Sequence, residues 1–154
     1  MKDNQYIMDT YFDDFRKKFQ IDTLMIFETE YWCWSLRPIQ STLGAGILSL
    51  KRAETQLSKI TEAESADFVN IVRVVETTLT KTFSYQRINY LMLMMIDFQV
   101  HYHIIPRYDK DVFYLGRNWK DEDYPKLPTI SGVPNEKELL SDILLSLKKD
   151  LCLC

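Results

Sequence analysis

Residues 99–105 (QVHYHII) alternate polar and apolar side chains and hold the only two histidines of the chain, His101 and His103. Such alternation is typical of a β-strand, because successive strand side chains point to opposite faces of the sheet. Gln99 should therefore share one face with both histidines. The residues on the opposite face should join the core: Val100, Tyr102 and Ile104. The chain must accordingly build a sheet with one polar face and one packed face.

Four further strands are predicted from runs rich in β-branched and aromatic residues. They comprise a pair within residues 23–36, a third strand at 44–52 and a nearly continuous apolar strand at 87–95, typical of the centre of a sheet. Asp97 and Phe98 leave room only for a tight turn before the histidine strand, which predicts a hairpin. Residues 106–134 are predicted to be irregular.

Three helices are predicted from apolar residues at helical spacing. The first covers 6–19 and presents Met8, Tyr11, Phe12, Phe15 and Phe19. The second follows a capping box formed by Thr61 and Glu64 and presents Phe68, Ile71, Val72, Val75 and Leu79. The third begins near Asn135, with Glu138 at the capping-box position, and buries Leu139, Leu140, Ile143, Leu144 and Leu147. The predicted fold is α+β, an antiparallel sheet of about five strands with helices mainly on one face.

Composition narrows the class of protein. With 154 residues and 46% hydrophobic residues, the chain suits one domain spanning 1–154. A formal charge of −3 argues against broad nucleic-acid binding. No apolar run reaches the roughly 18 residues of a membrane span, and the acidic N-terminus is not a signal peptide. Cys33, Cys152 and Cys154 form a poor disulfide framework, which fits a reducing cytoplasm.

Three interpretations of the paired histidines are open from spacing alone. One imidazole can act as nucleophile or base near neutral pH while the other orients it or binds substrate charge. A His-x-His pair can also bind a metal, although a complete site needs about three protein ligands. The third interpretation is two structural histidines with satisfied hydrogen bonds. Burying an unsatisfied polar group costs about 1–3 kcal/mol, so we expect this row to line an open cleft.

Residues 99–108 (QVHYHIIPRY) resemble the signature of the histidine-triad (HIT) family, which reads His, apolar, His, apolar, His, apolar, apolar. The segments WSLRPIQSTLGAGILSLKR (34–52), INYLMLMM and VFYLGRNWKDEDY (112–124) are also similar to family members. The resemblance extends over roughly residues 30–125 and implies the HIT fold, in which a long helix and a C-terminal helix pack against the sheet.

The resemblance implies a hydrolase or transferase that attacks the α-phosphate of a nucleoside phosphate conjugate. His101 aligns with the family's nucleophile, which forms a nucleotidyl-histidine, and His103 with the histidine that binds the phosphate. A backbone carbonyl would fix the tautomer of the nucleophile. The chemistry implies no metal or other cofactor, the ligand is a nucleotide-like small molecule, and a homodimer is expected. Candidate substrate-binding residues are Arg107, which follows the triad strand; Arg37 and Gln40, which lie where the family builds its nucleoside pocket; and Asn89.

Two departures leave a second function open. Gln99 stands where the first triad histidine is expected, and a glutamine can orient its neighbours but cannot transfer a proton. The polar phosphate-binding loop before the triad is replaced by MMIDFQ, whose Asp97 would repel phosphate if it pointed inward. A HIT-fold protein that binds nucleotides or a partner with weak or no turnover is therefore the alternative.

Overall fold

The computed structural model describes residues 2–151, with side chains from residue 10 onward. Met8, Cys152 and Cys154 lie outside the described side chains. The elements are, in chain order, α1 (Lys2–Lys18), β1 (Met25–Glu28), β2 (Trp32–Leu36), β3 (Gly46–Leu50), α2 (Glu62–Phe83), β4 (Arg87–Leu91), β5 (His101–Arg107), β6 (Val112–Tyr114), β7 (Arg117–Trp119) and α3 (Lys137–Asp150). The α+β prediction is confirmed. None of the helices within residues 2–151 combines the length and apolarity needed to cross a bilayer.

The main sheet is antiparallel and five-stranded, in the order β1-β2-β3-β5-β4. β5, the histidine strand, lies inside the sheet between β3 and β4. His101 pairs with Ser49 of β3, and His103 is flanked by Ile47 of β3 and Leu91 of β4. A strand with a neighbour on each side has its backbone groups committed to hydrogen bonds, so the two imidazoles project from a well-fixed backbone.

The main core lies between one face of the sheet and the helices α2 and α3. Its buried members include Trp32, Trp34, Leu48, Ile104, Ile71, Val75, Leu79, Ile143 and Leu147. Full burial of each large apolar side chain stabilises the fold by about 1.5–3 kcal/mol. α2 begins at the predicted capping box, because the Thr61 hydroxyl accepts from the Glu64 backbone and the Glu64 carboxylate accepts from the Thr61 backbone.

The opposite face of the sheet, which carries both histidines, is covered by α1. Phe15 of the helix, with Phe19 and Ile21 just after it, forms a second buried cluster with Cys33 of β2 and Ile47 of β3. The sequence predicted helices mainly on one face, and this holds for α2 and α3. The first helix instead packs on the face that was expected to be open.

Two predictions for the segment before β5 are wrong. β4 ends at Leu91 and lies at the edge of the sheet, half-buried, and is not a central strand. Residues 92–100 then form a long connection without the tight turn predicted at Asp97 and Phe98. The apolar residues of this connection misled the prediction because they are shared between three surroundings. Met92, Met94 and Val100 contact the main core, Leu93, Met95 and Ile96 line a cavity, and Phe98 is exposed.

The prediction of an irregular segment at 106–134 is also wrong in part. β6 and β7 form a small hairpin, and its turn residues Leu115 and Gly116 both have positive φ, as a two-residue hairpin turn requires. α3 begins at Lys137, and its N-cap is Glu136, which makes no side-chain cap hydrogen bond. The capping box predicted there is absent because the Asn135 side chain accepts a hydrogen bond from the Gln40 backbone instead.

Candidate functional site

His101 and His103 project from β5 to the same face of the sheet, as the strand pattern predicted. Their rings lie 5.0 Å apart, and the Nε2 atoms are separated by 3.3 Å. Both side chains are buried, with 0% of His101 and 4% of His103 exposed. The expectation that the row lines an open cleft is therefore wrong for His101. A ligand can reach this side chain only if the residues above it move.

The tautomer of His101 follows from its hydrogen bonds. Nδ1 lies 2.7 Å from the backbone carbonyl oxygen of Gln99, and a carbonyl oxygen can only accept. Nδ1 therefore carries the proton, and in the neutral ring Nε2 carries the lone pair. That lone pair faces His103 Nε2, which must be the protonated nitrogen of its ring in order to donate. His103 Nδ1 is then unprotonated, and it is buried without a hydrogen-bond partner.

Burial keeps both rings neutral at physiological pH. Desolvation lowers the pKa of His101, against smaller opposing effects of the Gln99 carbonyl and Asp97. Desolvation, the neighbouring His101 and the positive charge of Arg37 lower the pKa of His103 from 6.5 to about 3. A neutral imidazole with a free Nε2 lone pair is the form that attacks phosphorus.

The lowered histidine pKa values predict a loss of stability in mild acid. In the unfolded chain these rings take up protons as pH falls through about 6.5, whereas in the folded protein the pKa of His101 is lowered and that of His103 falls to about 3. The unfolded state then binds more protons, so the free energy of unfolding should fall by up to about 1.4 kcal/mol per pH unit for each histidine. Urea unfolding at pH 7.5, 6.0 and 5.0 measures this. The slope should flatten in His103→Gln, and an unchanged slope in that variant would contradict the assignment.

Two phenylalanines cover the histidines, Phe15 in the last turn of α1 and Phe19 directly after the helix. The Phe15 ring lies 5.0 Å from the His101 ring, and the Phe19 ring lies 5.9 Å from His101 and 5.7 Å from His103. Lys18 forms an ion pair with both carboxylate oxygens of Asp97, at 2.7 and 2.8 Å. The helix is thus fixed to the 92–100 connection beside the site. Sequence reasoning missed this role, although the i, i+4 spacing of Phe15 and Phe19 was visible.

Gln99 does not complete a triad through its side chain. Its Nε2 donates to the backbone oxygens of Leu50 and Arg52, at 2.9 and 2.8 Å, and its Oε1 accepts from the Glu54 backbone at 3.2 Å. The alternation rule fails here because β5 begins only at His101. The side chain of Gln99 fixes residues 50–54, and its backbone oxygen orients His101.

A cavity of about 500 Å³ is lined by His103 but not by His101. Arg37, Lys18 and Asp97 are its charged lining residues. Most of the remaining wall is apolar: Phe19, Pro38, Ile39, Leu93, Met95, Ile96, Ile130 and Pro134. A mostly apolar cavity with a few polar groups is the usual form of a small-molecule site. Asp97 points inward, as the sequence left open, but Lys18 neutralises its charge.

Gln40 was predicted to bind substrate, and its side chain instead braces the loop that carries Arg37. Its Nε2 donates to the backbone oxygens of Arg37 and Ala45, at 2.7 and 2.8 Å, and its Oε1 accepts from the Gly44 backbone at 2.9 Å. Both N–H groups and the oxygen of the Gln40 amide are therefore engaged with the backbone. Gln40 therefore positions the Arg37 backbone and leaves only Arg37 of this pair to meet a ligand.

The structure does not bring Arg107 and Asn89 into the cavity. Arg107 is buried and pairs with both oxygens of Asp121, at 2.6 and 3.1 Å, and its Nη1 donates to the Asn89 side chain and the Lys126 backbone. Because Nε, Nη1 and Nη2 of Arg107 are all engaged, this side chain has no pair of donors left for a phosphate. The cluster connects β4 and β5 to residues 121–126. Among the side chains that the structure describes, from residue 10 to residue 151, no three His, Cys, Asp or Glu form a group that could hold a metal ion.

A comparison with known families matches residues 18–110 to the HIT domain. The chain belongs to the HIT family. The match covers the sheet face, both histidines and the 92–100 connection, but it begins only at the last residue of α1. No curated protein matches the chain significantly.

Solved structures share the fold of this HIT protein. A histidine triad protein from Sinorhizobium meliloti superposes with a TM-score of 0.67 at 19% identity, over 86% of this chain and 93% of that one. A hypothetical histidine triad nucleotide-binding protein from Sulfolobus tokodaii gives 0.65 at 17%, over 87% and 90%. A Hit-like protein from Bartonella henselae gives 0.63 at 13%, over 83% and 86%. At these identities the similarity shows the fold alone.

Proposed function

We propose that this HIT protein hydrolyses nucleoside phosphate conjugates, such as dinucleoside polyphosphates or nucleotidyl-X compounds, through a nucleotidyl-histidine at His101. Membership of the family supports a nucleotide ligand. The observation that carries the catalytic part is the 2.7 Å hydrogen bond from His101 Nδ1 to the Gln99 carbonyl, because it leaves the Nε2 lone pair as the nucleophile.

The reaction has two displacement steps. His101 Nε2 attacks the α-phosphorus and forms an N–P bond, while the bond to the leaving group breaks and the leaving group departs with the electron pair. The Nδ1 proton stays on the ring, where the Gln99 carbonyl stabilises the positive charge that the ring gains. Water then attacks phosphorus, and the N–P bond breaks with its electron pair returning to Nε2. The proton that water loses passes to solvent and solvent protonates the departed leaving group, so the products are a nucleoside monophosphate and the protonated leaving group.

His103 is the partner of the nucleophile. Without substrate, its Nε2–H points at the His101 lone pair at 3.3 Å. When phosphate occupies that space, the same N–H can donate to a phosphate oxygen and stabilise the charge that develops on it. Its strongly lowered pKa means that this donor is a neutral imidazole, so His103 acts as a hydrogen-bond donor and not as an acid.

Catalysis at His101 requires α1 to move. The ring is fully buried and contacts Phe15 and Phe19, so no phosphate can approach Nε2 while the helix is in place. From residue 10 onward, the contacts that hold the helix against the site are apolar packing and the partly exposed Lys18–Asp97 ion pair, and the described backbone of the helix does not pair with the sheet. Displacement of such an element is a common form of active-site gating.

The proposal is tested by incubating the protein with a panel of adenylated and guanylated conjugates and measuring release of AMP or GMP. The panel contains dinucleoside polyphosphates, nucleoside phosphoramidates and aryl esters. We expect catalytic release from at least one class, with multiple turnovers per protein molecule. Absence of product from every class after long incubation would contradict hydrolysis.

A second candidate function is nucleotide or partner binding without turnover. Two observations favour it, namely the phenylalanine cover over both histidines and the full engagement of the Gln99 side chain. Under this alternative, calorimetry detects nucleotide binding while the panel yields no product. Accumulation of nucleotidylated protein would count against it.

We further propose a homodimer in which the sheets of two copies join through β4. The strand lies at the edge of the sheet, and half-buried Ile88, Tyr90 and Leu91 leave apolar surface beside its unpaired edge. Sedimentation equilibrium should give twice the chain mass of 18.3 kDa. Ile88→Lys should shift the equilibrium to monomer, whereas Arg73→Gln on the exposed side of α2 should not. A monomeric wild-type protein would contradict the dimer.

A further inference from the structure

Arg37 is a buried cation without an anionic partner. Only 6% of the residue is exposed, its Nη1 donates to the Ile39 carbonyl oxygen at 3.2 Å, and its Nε is buried without any hydrogen-bond partner. Among the described side chains, those of residues 10–151, no carboxylate lies at ion-pair distance from Arg37. A guanidinium does not deprotonate in a protein, so this charge persists where water cannot solvate it fully.

Other buried or half-buried arginines in the molecule are paired. Buried Arg107 meets Asp121, and half-buried Arg16 meets Asp22. Leaving a buried charge unpaired is expensive, and proteins usually neutralise it with an ion partner. Arg37 is the exception, and unlike the other two it lines the cavity beside His103.

The charges around the cavity leave Arg37 uncompensated. The cavity is lined by two cations, Lys18 and Arg37, and by one anion, Asp97. Asp97 attracts Arg37 at a distance, but Lys18 binds both oxygens of that carboxylate, at 2.7 and 2.8 Å, and already balances its charge. One positive charge therefore remains in a largely apolar chamber, and a bound anion would balance it.

We propose that the ligand of this cavity has an apolar body bearing an anionic group, a carboxylate or a phosphate, and that Arg37 binds that group. This ligand is the part of the nucleotide conjugate that adjoins the phosphate attacked by His101, a point that rests on the proposed function. Gln40 is a positioning residue, because its amide holds the Arg37 carbonyl and the adjoining loop. The substrate class is thus a nucleotide conjugate that carries, besides the phosphate attacked by His101, a second anionic group bound by Arg37.

The experiment compares matched ligands in the His101→Ala variant, where turnover cannot consume them. The ligands are the phenyl ester of AMP and its 4-carboxyphenyl and 4-phosphonophenyl derivatives, with affinities measured by calorimetry. We expect at least one anionic derivative to bind about tenfold or more tightly than the phenyl ester, because charge-assisted bonds to a guanidinium are strong. Which derivative gains more distinguishes a carboxylate from a phosphate. Equal affinity for all three would overturn the inference.

Arg37→Gln should abolish the preference for the anionic derivative, and the control Arg73→Gln, an exposed arginine on α2, should keep it. Benzoate, phenylphosphonate and neutral benzamide provide a second arm without a nucleotide. The anionic fragments should bind wild type more tightly than Arg37→Gln, and benzamide should not discriminate. Anionic fragments bound by Arg37 in a protein that hydrolyses no conjugate would refute the proposed function alone. Hydrolysis without any anion preference would refute this inference alone.

Stability gives an independent readout. If Arg37 is kept for a ligand and has no structural partner, Arg37→Met should leave the melting temperature of the ligand-free protein unchanged or raise it, because an unpaired buried charge is removed. A fall of several degrees would mean that Arg37 holds the fold together, and it would overturn the assignment.

Discussion

Replacing His101 with alanine should lower kcat/KM for conjugate hydrolysis by on the order of 10³-fold or more, since removal of a catalytic nucleophile has effects of this size or larger. The expectation follows from the proposed role of His101 Nε2 as the nucleophile, since the hydrogen bond of Nδ1 to the Gln99 carbonyl leaves Nε2 unprotonated. Steady-state release of AMP or GMP from the best conjugate of the panel measures it. His103→Ala should reduce kcat/KM less, by about 10²- to 10³-fold, because it removes one hydrogen-bond donor to the phosphate.

The control is Tyr102→Phe, on the same strand but on the opposite face, packed against Trp32 and Phe68. It should keep wild-type turnover. Circular dichroism and urea unfolding should show that His101→Ala remains folded, since His101 donates only to a backbone carbonyl of its own segment. Full activity in a folded His101→Ala protein would remove His101 from the reaction.

Shortening Phe15 of α1 and Phe19, the residue that follows the helix, should raise activity. Phe15→Ala with Phe19→Ala removes packing worth about 3–5 kcal/mol at each position. In the closed state α1 lies over the histidines, and this state loses that packing. In the open state α1 has moved away, so the substitutions cost it nothing there. Since apparent affinity scales with the fraction of competent protein, kcat/KM should rise about tenfold or more until the open state dominates. Asp14→Ala, an exposed position on the same helix, should change little.

The converse experiment locks the helix. In a protein with Cys152 and Cys154 replaced by serine, Lys18→Cys and Asp97→Cys replace the existing ion pair and are joined by a short bis-maleimide. The buried Cys33 thiol, whose pKa is raised by burial, should not react. Turnover should fall to the fraction of uncrosslinked molecules. A fully crosslinked protein with unchanged turnover would show that α1 does not cover the site that reacts.

The sequence predicted local geometry well where one strong rule applied. Period-two alternation placed His101 and His103 on one face, and the capping box placed the start of α2 at Thr61. Both rules depend on interactions within a few residues. The resemblance around the histidines also predicted the carbonyl that fixes the tautomer of His101.

The parts that sequence did not predict depend on distant contacts. The apolar stripe of α1 indicated that Phe15 and Phe19 are buried, but a stripe does not say which surface buries them, and both faces of this sheet offer apolar partners. The side chain of Gln99 was misplaced because its partners lie at residues 50–54, far away in sequence. Arg107 was predicted to bind substrate, but it forms an ion pair with Asp121, a residue 14 positions later that the sequence did not connect with it.

The central claim is tested most directly by intact-protein mass spectrometry after rapid quenching of the protein with an adenylated conjugate. Wild type should gain the mass of one adenylyl group, and peptide mapping should place the group on His101. His101→Ala should gain nothing, and Gln99→His should show whether a third imidazole changes the amount of adduct. A conjugate that is turned over with no adduct, or with an adduct on another residue, would contradict the mechanism.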